Sequence, residues 1–261
     1  MKALFASIIA VFTVSAFAQP PAYKLRSERI AVGTVYHYVK TNVDGTQPEQ
    51  ISLYIAGRDR IESYKFHPKG SRAGLVTAEM DWQKFVARTL ESRQVFASGE
   101  RRLFATLTLA ADGRYITVSI PAAKPEPETV KVESMPFHLY NFDLASLNVT
   151  LPHLADPKKT FTVGIVDPTF KPEPLVAYKG EMTVSYEKKE QRNGVLTRRY
   201  SASGSGIGGK GNIWVNKKLG HIEDMEFDVA NNPDWKTFKL KLTKTENMTS
   251  DEWQKFIAAQ F

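Results

Sequence analysis

The chain has no cysteine among its 261 residues. Disulfides, thiolate–zinc sites, iron–sulfur clusters and thiol nucleophiles are therefore excluded. Long apolar runs are also missing except at the extreme N-terminus, which excludes a multi-span helical membrane protein. The five histidines, His37, His67, His138, His153 and His221, include no pair at the i, i+4 spacing of a helical zinc site. No Gly-x-Ser-x-Gly elbow is present. No metal, cofactor or catalytic residue is expected, and a non-enzymatic role is favoured. What remains is ordinary globular composition, 42% hydrophobic and 24% charged, with a net charge of +7.

The N-terminus has the three-part layout of a secretory signal. Met1-Lys2 is a positive start, Ala3 to Val14 is apolar, and Ala16-Phe17-Ala18 is a small-x-small cleavage site. This predicts a signal peptide over residues 1–18, cut between Ala18 and Gln19, and a periplasmic protein. The mature chain, 19–261, is read as one β-rich domain. The proline-rich stretch Pro121 to Glu128 cannot be a central strand and reads as an extended loop. Two β domains split near residue 125 is the alternative.

Most of that chain alternates with period two. Val35, His37 and Val39 alternate with Tyr36 and Tyr38; Ile51, Leu53 and Ile55 follow. Leu103 to Leu109 runs into Asp112-Gly113, and Met182 to Tyr186 leads to Asn193-Gly194, both strong hairpin signals. A third hairpin turns near Lys218-Leu219-Gly220, and Phe238, Leu240 and Leu242 form the last strand. Some twelve strands are expected. They make a mostly antiparallel, strongly curved sheet or open half-barrel. Met80, Trp82, Val86 and Leu90 are read as part of one strand. Helices are expected near 142–151 and over Ser250 to Gln260, where Thr249 and Glu252 stand in capping-box spacing.

The glycine-rich run Gly204 to Gly211 meets the spacing of nucleotide loops but not their context. Gly211 follows Lys210 where a magnesium ligand belongs, and the next residues are strand-like. It reads as a turn in which glycine permits close approach. Glu79 with Asp81, and Glu223 with Asp224, are candidate carboxylate pairs, read as solvated edges rather than glycosidase residues. The basic pairs Arg101-Arg102, Lys188-Lys189, Arg198-Arg199 and Lys217-Lys218 are dispersed and not interleaved with aromatics. No nucleic-acid partner is expected. The charge suits an anionic membrane surface or envelope proteins.

Aromatic residues reach 11%. Tyr36, Tyr38, Trp82, Phe85, Phe104, Trp214 and Phe238 are taken as candidates to line an apolar concave face, with Phe142, Leu144, Leu147 and Leu151 as a helical lid. The segment Gly211-Asn212-Ile213-Trp214-Val215-Asn216-Lys217-Lys218-Leu219-Gly220-His221-Ile222 resembles one hairpin of the periplasmic half-barrel proteins that include the lipoprotein carriers of Gram-negative bacteria. The stretch Gly33 to Leu109 is similar to uncharacterised exported proteins of the same architecture. The resemblance implies an open barrel with a hydrophobic cavity and a helical lid for acyl chains; the stretch Phe142 to Leu151 is shorter than such a lid. The expectation is a carrier or binding protein for an apolar or lipid-like molecule. A structural or protein-interaction module of the envelope and an envelope hydrolase are the alternatives.

Overall fold

The computed structural model describes residues 22–66, 70, 72–229 and 235–261. The signal-peptide reading, with its cut at Ala18 and Gln19, and His67 lie outside these residues. Among the described residues fifteen strands form one sheet, more than the twelve expected. They are β1 (Thr34–Thr41), β2 (Glu49–Tyr54), β3 (Arg60–Phe66), β4 (Arg72–Asp81), β5 (Val86–Phe96), β6 (Arg101–Leu109), β7 (Tyr115–Ser119) and β8 (Glu128–Lys131). Then come β9 (Phe137–Leu139), β10 (Phe161–Pro168), β11 (Val176–Arg192), β12 (Val195–Gly204), β13 (Gly209–Asn216), β14 (Ile222–Phe227) and β15 (Phe238–Asn247). Two short helices are α1 (Ala145–Thr150) and α2 (Ser250–Ala258).

The spatial order is β8-β7-β6-β5-β4-β3-β2-β1-β15-β14-β13-β12-β11-β10-β9. Each neighbour is antiparallel except β9, which runs parallel to β10. The sheet is open: β8 and β9 are its edges. It curls until β8 lies against β11, where Leu175 donates its N–H to Glu128 Oε2 at 2.7 Å.

The hairpins follow the sequence signals. Asn193 and Gly194 have φ of 53° and 79°, the positive pair that a type I′ turn requires. Gly204 and Gly206 sit where β12 turns into β13; a Cβ on Gly204 would come within 2.2 Å of the Glu181 carbonyl oxygen, and one on Gly206 within 2.7 Å of Ile165. Close backbone approach is what these glycines permit.

The continuous strand expected across Met80 to Leu90 is instead a hairpin. β4 stops at Asp81, whose carboxylate accepts the N–H groups of Gln83 and Lys84 at 2.9 and 3.2 Å. Phe85 then takes φ of 54° before β5 begins. A side-chain-capped turn does the work that Gly or Pro would announce in sequence.

The inner face of the curl is packed around the segment from Phe142 to Leu151. The helix within it is shorter than expected, six residues in α1 followed by a 3-10 turn at Leu151–His153 that accommodates Pro152. Every α1 residue is buried. α2 covers the outer face. Trp253 and Ile257 pack on Tyr54, Tyr64, Leu75 and Val95, so β2 and β3 are buried on both sides. The Thr249–Glu252 capping box forms as expected.

Candidate functional site

Register builds a hollow in the inner face. Ser63 pairs with Val76, Val76 with Ser92, and Ser92 with Ala105. One row across β3, β4, β5 and β6 thus carries small side chains. The next row, Ile61–Ala78–Leu90–Leu107–Val118, is larger and buried. Toward the strand ends, Lys65 pairs with Gly74. A Cβ on Gly74 would meet nothing within 4 Å.

The resulting cavity has a volume of about 220 Å³. The inner faces of β3 to β7 form one wall; Leu139, Asn141, Phe142, Pro168 and Val176 close the other side. Its lining is mostly apolar. Phe104, 42% exposed, stands at the rim.

The polar end is built from Lys65. Its ammonium pairs with Asp143 and donates to the Asn141 carbonyl at 3.3 Å. Asp143 also accepts Lys40 at 2.9 Å, and Lys40 reaches Glu49 at 3.4 Å. Burial alone would raise the Asp143 pKa, but the two ammonium groups outweigh it and hold the carboxyl below its ordinary value. Burial would lower the Lys65 pKa; Asp143 and Glu49 reverse that and raise it. Asp143 and Leu144 both have positive φ, 53° and 52°. Such non-glycine pairs persist where surroundings over-determine them. Here the ion pairs fix one residue and complete burial the other.

Asp167 lies beside this cluster and accepts the Asn141 N–H at 2.8 Å. Burial is the main cause pushing its pKa up to about 7.

Most of the aromatics expected to line a ligand face pack against other parts of the protein instead. Phe104 and Phe142 border the cavity. Trp82 and Phe85 pack on His153, with ring centroids 4.8 and 5.7 Å away, and Tyr23 stacks on Phe85 at 5.0 Å. The Tyr38 hydroxyl donates to the Ile222 carbonyl at 2.8 Å. Tyr36 packs on His221 at 4.9 Å. Phe238 lies 5.9 Å from Phe227. Trp214 is on the outer face, between inward Ile213 and Val215. Its indole N–H donates to Glu190 at 2.6 Å, and the Arg192 guanidinium lies 4.0 Å over its ring.

Of the four residues named as a lid, Phe142 is cavity wall, and Leu144, Leu147 and Leu151 fill the core inside the curl. The carboxylate pairs separate. Glu79 binds Arg88, and Asp81 caps its turn. Glu223 is buried on His221 and Asn216, and Asp224 on Arg192. Sequence reasoning missed Ser63, Lys65, Val76, Ser92, Ala105 and Asn141. The available signal was Ser63, Val76, Ser92 and Ala105 at the middle of four adjacent strands, β3 to β6.

No family model matches the chain. No curated protein matches it either. Among solved structures the chain is similar to a crystal structure of a beta-barrel-like protein of domain of unknown function DUF1849 from Brucella abortus, with a TM-score of 0.40 and 10% identity over 83% of this chain and 98% of that one.

Proposed function

We propose that the protein is exported to the periplasm and binds a small amphipathic molecule, one alkyl chain with an acidic head, without chemical turnover. The observation that carries this reading is the row of small side chains that leaves an apolar cavity beside Lys65. The leader-like residues 1–18 support export, and the half-barrel resemblance of the segment from Gly211 to Ile222 supports a carrier.

Size limits the ligand. Pockets for drug-sized molecules run to about 300–1,000 Å³; at about 220 Å³ this cavity suits one short chain rather than a lipoprotein's several. Burying eight methylenes releases about 6 kcal/mol, an affinity of tens of micromolar at best before ordering costs. An acidic head would join Lys65 at the polar end.

The test is native mass spectrometry of protein purified from its own host, together with titration of a fluorescent fatty acid. A lipid-sized adduct, and probe binding lost in Phe104→Glu, are expected. A bare mass with no probe binding would reject the reading in favour of a structural or interaction module, which the filled core around Leu144 and Leu147 would equally serve.

A further inference from the structure

We infer that the β13–β14 turn and its surroundings form a docking surface for an anionic phospholipid bilayer. The turn, Asn216 to Gly220, contributes no residue to the lining of the cavity beside Lys65 and Phe104.

Five cations gather there around one shallow pocket: Arg26, Arg29, Arg198, Lys217 and Lys218. Among the described residues none of the five is in a salt bridge. Glu28 and Asp156 are the neighbouring carboxylates. Elsewhere the surface mixes its charges; Lys188 is paired with Glu190, and Arg102 with Glu100. Two leucines project from the same patch, Leu219 at 52% exposure and Leu196 at 40%.

The turn is held rigidly. Asn216 Oδ1 accepts the N–H groups of Lys218 and Leu219 at 2.9 and 2.8 Å. Arg29 ties the N-terminal segment to it by donating to the Lys218 carbonyl at 2.5 Å. Gly220 has φ of +87° and lies so close to Pro152 that a Cβ would stand 2.8 Å from it. Projecting leucines ringed by unpaired cations match a bilayer interface, where apolar tips enter the head-group region and cations meet phosphates. A free anion would use the cations but leave the leucines exposed.

The experiment is co-sedimentation with vesicles of phosphatidylglycerol and phosphatidylcholine against pure phosphatidylcholine. Binding is expected only to the anionic vesicles, weakening steeply as salt rises. Each cation near such a surface strengthens binding about fivefold. Lys217→Glu with Lys218→Glu should therefore weaken it at least about 25-fold, and Leu219→Ser should weaken it at unchanged charge. The control pair Arg102→Glu with Lys131→Glu carries the same charge change on β6 and β8, which contribute no residue to the patch. Equal loss in the control, no loss in either patch variant, or no preference for anionic vesicles would overturn the proposal. Fatty-acid probe binding should be the same in all these variants, so failure here is separable from failure of the cavity reading.

Discussion

The Trp253 indole N–H donates to Glu62 Oε2 at 2.7 Å, inside the seam between α2 and the outer face of the sheet. The other Glu62 oxygen accepts Arg60 at 2.7 Å. This one bond joins residues 191 apart in sequence and fixes how the C-terminal helix sits on β3. Trp253→Phe keeps much of the ring packing against Tyr54, Tyr64 and Phe256 but leaves a buried carboxylate oxygen without its donor. The expected loss is about 1–3 kcal/mol, read as a lower denaturation midpoint at unchanged slope. Trp253→Ala adds a cavity and should cost about 3–5 kcal/mol. Equal midpoints for Trp253→Phe and the natural protein would mean that the bond contributes nothing.

Asp143 balances two lysines. Its folded pKa lies below the ordinary carboxyl value, so it contributes stability above the unfolded pKa, and that contribution is lost as pH falls below about 4. Asp143→Asn leaves buried Lys40 with Glu49 alone and removes the carboxylate from Lys65. Breaking such a buried pair costs about 3–5 kcal/mol. Adding Lys40→Met should recover part of the loss. A double variant no more stable than Asp143→Asn would show that Lys40 is not the charge left stranded by the substitution.

Two buried histidines set the acid limit at milder pH. Burial lowers the pKa of His138 to about 3 and that of His153 to about 4. His138 Nδ1 bonds the Ser146 hydroxyl, and His153 Nδ1 accepts the Arg26 N–H at 2.9 Å. Both rings stay neutral in the fold, while unfolded histidine titrates near pH 6.5. The unfolded chain therefore binds more protons below that pH. Stability falls by about 1.4 kcal/mol per pH unit for each ring as pH drops from about 6.5 toward the folded values. Ring NMR resonances of His138 and His153, assigned with His138→Gln and His153→Gln, should not move between about pH 7 and 5.5. A native midpoint near 6.5 for either would contradict this.

The strands were legible because their causes are local. Asp112-Gly113 and Asn193-Gly194 carry their turn chemistry in two residues, and period two marks the strands between. The hairpin at Trp82 to Phe85 was not legible because its turn is made by the Asp81 carboxylate and a positive φ on phenylalanine. Period two also cannot say which face is inward. Trp214 alternates as well as Tyr38 does, yet faces out while Tyr38 faces in. The cavity is a product of register: Ser63, Val76, Ser92 and Ala105 are unremarkable singly and become a hollow only when pairing sets them side by side.

Gly74 turns that hollow into a test. Its φ is not in the left-handed region, and the space its Cβ would occupy is empty. Its strand neighbours Lys65 and Gln94 pair regularly on both sides. Glycine therefore carries an entropic cost here that no backbone need offsets. Gly74→Val should raise stability by about 0.5–1 kcal/mol while placing two methyl groups in the cavity. Binding of the fluorescent fatty acid should fall at least tenfold in the same variant. Such an opposition between stability and binding is expected where an open site has been kept rather than a core filled. A variant that gains stability and keeps full probe binding would place the alkyl chain somewhere other than this cavity. One that loses stability would mean that the hollow is already closed by its own walls.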